Sequence, residues 1–169
     1  DNNFDSVANQ TVTVTTTDND TAGFTKSEAT QTVTEVGGTD TFTLVLNAEP
    51  ASDVVLRVTS ADTGEVTVGA ADYTFTSGNW DSAQTVTLTG INDDVDDGDI
   101  DTTVTITVVD ASSDNNFDAL ANQTITVTTT DNDTVGYTKT QTTRTVTEAA
   151  GGGNTATFTL VLDAEPSSD

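Results

Sequence analysis

The chain duplicates itself at a period too long for a solenoid turn, and this feature constrains its architecture most. Residues 1–20 read DNNFDSVANQTVTVTTTDND and residues 114–133 read DNNFDALANQTITVTTTDND, an offset of 113 set by Asp18 and Asp131. The match runs on. TAGFTKSEATQTVTEVGG from Thr21 recurs as TVGYTKTQTTRTVTEAAGG from Thr134. Extra residues around Gly151, Gly152 and Gly153 then move the offset to 116, so that TFTLVLNAEPASD, ending at Asp53, recurs as TFTLVLDAEPSSD, ending at Asp169. A repeat of this size is a domain with its own core, where solenoid units run to about 20–50 residues. The expected organisation is the C-terminal end of a preceding repeat over 1–20, a complete repeat over 21–133 and the N-terminal part of a following repeat over 134–169.

Inside the complete repeat the pattern alternates with period two. Residues 32–34, 41–46, 54–58, 73–75, 85–88, 104–108 and 124–127 interleave β-branched or aromatic residues with threonine and other polar residues. Such alternation sets one face of a strand on a core and the other in water. Gly37-Gly38, Gly64, Ser77-Gly78-Asn79 and the acidic stretch after Ile91 separate the runs. No segment carries a helical period. About seven short strands punctuated by turns predict an all-β, immunoglobulin-like antiparallel sandwich.

Composition removes whole classes of chemistry. The chain has no Cys, His or Met and one Trp, with 28 acidic against 4 basic residues and a net charge of -24. Without Cys or His there is no Ser-His-Asp triad, no thiolate nucleophile and no zinc site of the usual ligands. So acidic a chain is repelled by phosphate backbones and anionic lipid, so neither nucleic acid nor membrane insertion is expected. No apolar run approaches the roughly 20 residues that span a bilayer. An enzyme is not expected. A carboxylate pair for glycoside hydrolysis can be drawn wherever acids cluster, but no aromatic sugar platform or apolar pocket accompanies one here. Disulfides play no part, and metal ions are the natural alternative staple for an extracellular domain.

The acids concentrate where a hard cation would want them. Asp93, Asp94, Asp96, Asp97 and Asp99 fall within INDDVDDGD. Five carboxylates in one loop repel each other unless screened. Ca²⁺, which takes 6–8 oxygen ligands at flexible geometry, suits that donor set. A merely solvated acidic loop, or the hydration shell of a halophile, is the alternative. The loop is not an EF-hand: with Gly98 at the obligatory glycine, Val95 and Val104 occupy ligand positions.

These features together resemble the Calx-beta family, found in sodium/calcium exchangers, integrins and large bacterial surface proteins. The resemblance rests on Glu35 in TVTEVGG, Asp72-Tyr73 in ADYTFTSG, Asp93, Asp94, Asp97 and Asp99 in INDDVDDGD, and Asp131-Asn132-Asp133 at the end of the unit. Asn92, Asn132 and Ile100 depart from the family's acids. By the resemblance, Glu35, Asp72, the loop carboxylates and Asp131, Asn132 and Asp133 gather at one end of the sandwich as a calcium cluster. Asp18, Asn19 and Asp20 would serve the preceding repeat and Glu148 the following one. The implied role is a secreted, cell-surface adhesin or matrix-fibre repeat whose junctions calcium stiffens.

Partners would be neighbouring repeats, identical subunits, or a surface glycan or protein. Two other readings stay open: a carbohydrate- or protein-binding module, and a filament subunit completed by strand exchange between copies. The threonine runs at 11–17 and 124–130 could suggest ice binding, but threonine also suits the wet face of a strand. Asn9, Asn19, Asn122 and Asn132 head glycosylation sequons. Trp80 could stack on a sugar, or pack as a core or edge aromatic.

Overall fold

The computed structural model describes residues 7–148 and 155–168. Eleven strands form among them: β1 (Phe24–Lys26), β2 (Thr30–Thr34), β3 (Thr39–Leu46), β4 (Val54–Ser60), β5 (Val66–Val68), β6 (Asp72–Phe75), β7 (Gln84–Gly90), β8 (Ile100–Val108), β9 (Gln123–Thr130), β10 (Tyr137–Lys139) and β11 (Leu160–Leu162). The first nine build the expected immunoglobulin-like sandwich. One sheet has the order β1-β3-β7-β5 and the other β2-β9-β8-β4-β6. All seven alternating runs are strands. The two additional ones, β1 and β5, are three residues each, too short to show a period.

Alternation translates directly into packing. Phe42, Leu44 and Leu46 of β3, Val86 and Leu88 of β7, Val104 and Ile106 of β8 and Ile125 and Val127 of β9 all point into one core. The intervening threonines lie largely on the outer faces. Burying each such aliphatic or aromatic side chain contributes about 1.5–3 kcal/mol. Trp80 packs against this core, in keeping with the core or edge role.

One pairing departs from the antiparallel expectation. β2 runs parallel to β9, with Thr30 opposite Thr126 and Thr34 opposite Thr130. The chain crosses between sheets after β1, so β2 and the last strand of the unit leave in the same direction at the sheet's edge. Their carboxyl ends therefore finish side by side. β8 begins at the same level, with Ile100 opposite Thr129. From the facing sheet, Gly90 closes β7 opposite Val66, the first residue of β5. Gly90 donates its N–H to Gly38 O at 2.9 Å, and a Cβ there would strike the Thr34 carbonyl. A glycine is thus what lets the two sheets close at this pole.

The short β10–β11 pair repeats the β1–β3 pairing. Phe24 faces Leu46 and Tyr137 faces Leu162, the same register shifted by the repeat. Thr25 Oγ1 donates to Asn47 Oδ1 at 2.8 Å, and Thr138 Oγ1 donates to Asp163 Oδ1 at 2.9 Å. Phe158, Leu160 and Leu162 are 55–61% exposed, whereas their counterparts Phe42, Leu44 and Leu46 are buried.

Candidate metal centre

The geometry of the strand ends assembles the site. Glu35 follows β2, Asp131, Asn132 and Asp133 follow β9, loop 91–99 joins β7 to β8, and Glu65 precedes β5. The registers above bring all four segments to one pole. Among the described residues, one carboxylate oxygen from each of Glu35, Asp131 and Asp133 lies within 4.8 Å of the others. Glu35 is 2% exposed. Its Oε2 accepts from the Asn132 N–H at 3.3 Å and Asn132 Nδ2 at 2.9 Å. Asn132 Nδ2 also reaches Asn92 Oδ1 at 3.2 Å.

The acidic loop is tied to this centre at its C-terminal half. Gly98 donates its N–H to Asp131 Oδ2 at 2.8 Å, and the Asp131 N–H donates to Asp99 Oδ1 at 3.1 Å. Gly98 has a φ of 80°, a left-handed conformation that glycine adopts without a Cβ penalty. Asp131 Oδ1 accepts the Asp133 N–H at 2.7 Å, and Asp18 Oδ1 accepts the Asp20 N–H at 3.0 Å in the same way. Both copies of the Asp-Asn-Asp triplet make this bond.

Electrostatics at the pole is one-sided. Burial holds the Asp133 carboxyl above its ordinary range, and Asp94, Asp131, Asp93 and Asp96 push the same way. Glu65 was not anticipated. Burial, then Asp97, Asp62, Asp93 and Glu35, raise its carboxyl, and its Oε2 is buried with no hydrogen-bond partner. A buried carboxylate oxygen without a donor, close to other carboxylates, calls for a proton or a cation. Nothing in EVTV, where glutamate opens a three-residue strand, marks it; only the β5–β7 register carries it to the pole.

Asp72 is placed elsewhere. It lies on edge strand β6 opposite Arg57, which faces Thr107 on β8, seven positions along from Ile100. Arg57 Nε and Nη2 donate to its two oxygens at 2.7 and 2.8 Å, and this pairing holds the Asp72 carboxyl below the usual range. The neighbouring Tyr73 is a core residue. Asp93, Asp94 and Asp97 are exposed on the loop. Asp93 Oδ1 caps the Val95 N–H at 2.8 Å. Asp18, Asn19 and Asp20 are exposed at the opposite pole, where Asp18 and Asp20 line a depression with Glu49 and Asn116. Glu148 is exposed and outside any strand.

The donor set is wholly oxygen, anionic and partly buried, which fits a hard divalent cation such as Ca²⁺. Among the described residues no helix is long and apolar enough to cross a membrane.

No protein-family model matches the sequence, and no curated protein matches it. Solved structures do. The chain is similar to the calcium-binding domain CBD12 of CALX1.1 at 17% identity and a TM-score of 0.49, over 76% of this chain and 54% of that one. It is similar to SSP-19, an MSP-domain-like protein of Caenorhabditis elegans, at 17% identity and a TM-score of 0.46, over 63% of this chain and 99% of that one. The PapD-like domain 7 of human CEP192 aligns at 14% identity and a TM-score of 0.47, over 76% of this chain and 97% of that one.

Proposed function

We propose that this chain is a calcium-binding structural repeat of an extracellular adhesin or matrix fibre, a non-enzymatic spacer of the Calx-beta type. The observation that carries this reading is the convergence of Glu35, Asp131 and Asp133 within 4.8 Å at the pole where the chain leaves the sandwich. Glu65, with its partnerless buried oxygen, and Asp97 and Asp99 of the loop bring further carboxylates to the same pole, and Ca²⁺ takes 6–8 oxygen ligands. The chain enters at Phe24, opposite Leu46, and leaves after Thr130, opposite Thr34, so successive units follow one another end to end. An ion at the exit pole joins Glu35, Asp131 and Asp133 across a junction whose charges otherwise repel, and its binding energy becomes ordering energy. The test is thermal unfolding of the chain in chelator, in millimolar Ca²⁺ and in matched Mg²⁺. A large rise with Ca²⁺ alone supports the reading. Equal, small shifts with both ions would mean charge screening and would end it.

A second reading, self-assembly by strand exchange between copies, has a specific observation behind it. Val12 and Val14 are 88% and 83% exposed, while their counterparts Ile125 and Val127 are fully buried. The parallel register of β2 and β9, shifted by one repeat, would seat Thr13 beside Thr143 in a second copy. Sedimentation of the 169-residue chain with and without calcium decides it: a single monomeric species in both conditions removes this reading.

A further inference from the structure

Loop 91–99 has two faces, and the contacts above use only one. Gly98 and Asp99 lean on Asp131 at the metal pole. The residues just before them point the other way, into the following repeat. Asp96 Oδ2 accepts the Val135 N–H at 2.6 Å. The Asp94 carbonyl accepts the Glu165 N–H at 2.6 Å, and Val95 bridges Glu165 in a parallel pairing. Glu165 belongs to the Ala164-Glu165-Pro166 turn after β11, and that turn, with Asp163 and Asp94, encloses a shallow depression.

At the other pole the earlier copy of the turn also meets acidic residues, there those of the Asp-Asn-Asp triplet. Ala48-Glu49-Pro50 is the earlier copy of this turn. Ala48 and Glu49 there line a depression of about 450 Å³ together with Asp18 and Asp20, the acidic residues that precede the unit. At both junctions, then, an Ala-Glu-Pro turn meets acidic residues from the unit before. Docking of this kind sets Glu165 and Asp163 beside Asp94, with Asp96 at the Val135 N–H, all of one sign, so counter-charge favours the contact.

We infer that loop 91–99 is an interdomain clamp, its inner face at the cation site and its outer face gripping the Ala-Glu-Pro turn of the next repeat, so that cation occupancy controls docking. The inference rests on the calcium reading above and names the surface through which that site acts. Because Gly98 and Asp99 are held by Asp131 only three residues from Val95, ordering the inner face orders the outer one. Asp96 lies outside the cluster of Glu35, Asp131 and Asp133 and its Oδ2 accepts from Val135, so a change there leaves those three carboxylates in place.

Amide hydrogen exchange on the full chain, followed by NMR in Ca²⁺ and in chelator alongside melting curves, tests the clamp. Val135 and Glu165 amides should exchange at least tenfold more slowly in Ca²⁺. Asp96→Ala should abolish the protection at Val135 while the calcium-specific melting rise persists, and Asp96→Asn, which keeps an acceptor oxygen, should restore it. Equal exchange in Ca²⁺ and chelator, with the melting rise present, would overturn the clamp and leave the metal site standing. Protection that persists in chelator would overturn the cation control. A missing melting rise would take down the calcium reading and the clamp together.

Discussion

Replacing Glu35 with glutamine separates a metal centre from a merely hydrogen-bonded carboxylate. The amide keeps an acceptor oxygen for Asn132, which donates at 3.3 and 2.9 Å, and nearly the same volume, so the buried site survives. It removes one of three negative charges gathered within 4.8 Å. Two opposite effects follow. Without metal, like-charge repulsion falls, and the variant should melt at or above the wild type. With metal, an anionic ligand is missing. An ion present at a hundred times its dissociation constant stabilises the folded state by about 2.7 kcal/mol. For a sandwich spanning residues 24–130, about 1 kcal/mol moves the melting temperature by about 4 °C, so the wild type gains about 10 °C. A tenfold weaker variant at the same calcium keeps about 1.4 kcal/mol, or about 5 °C. The assay is differential scanning calorimetry in chelator and in calcium, at a concentration fixed by titration of the wild type. The curves should cross, with the variant higher in chelator and lower in calcium. Parallel displacement in both conditions would refute the argument, since Glu35 would then act through packing or hydrogen bonding alone.

Asp72→Asn should leave the calcium-induced melting rise unchanged, because Asp72 is paired with Arg57 at the far edge of the sheet and both side chains are roughly half exposed; loss of the rise in calorimetry would return Asp72 to the site. Asp114 fastens the other pole, its carboxylate accepting the N–H groups of Asn116, Ala51 and Ser52 at 2.9, 2.6 and 3.1 Å. Those bonds, Asn116's first, hold its pKa below the ordinary range against the opposing effect of burial. The folded form therefore binds its proton less readily than the unfolded chain, and the stabilisation present at neutral pH is lost as pH falls through the depressed value. Asp114→Asn should lower the urea midpoint at pH 7 and flatten its decline toward pH 3; an unchanged decline would assign it to other carboxylates.

The period-two alternation was enough to determine seven strands, their inward faces and the sandwich class, because side-chain direction along a strand is local. The β1–β3 pairing and its recurrence in β10 and β11 were not legible, because strands of three residues show no period. Hydrogen-bond partners are not local, and there the tertiary structure decided. Thr11 to Thr17 and Thr124 to Thr130 differ only at Val12 and Ile125, yet the second run is a strand held between β2 and β8 while the first forms none. What β9 has and residues 11–17 lack is a strand on either side. The same reason explains the site. Glu35, Asp131 and Asp133 stood out in the sequence as candidate ligands through the resemblance to the Calx-beta family, and the parallel β2–β9 register is what brings them together. Asp72 and Glu65 are equally acidic in sequence, but the β4–β6 register delivers one to Arg57 and the β5–β7 register delivers the other to the acidic pole.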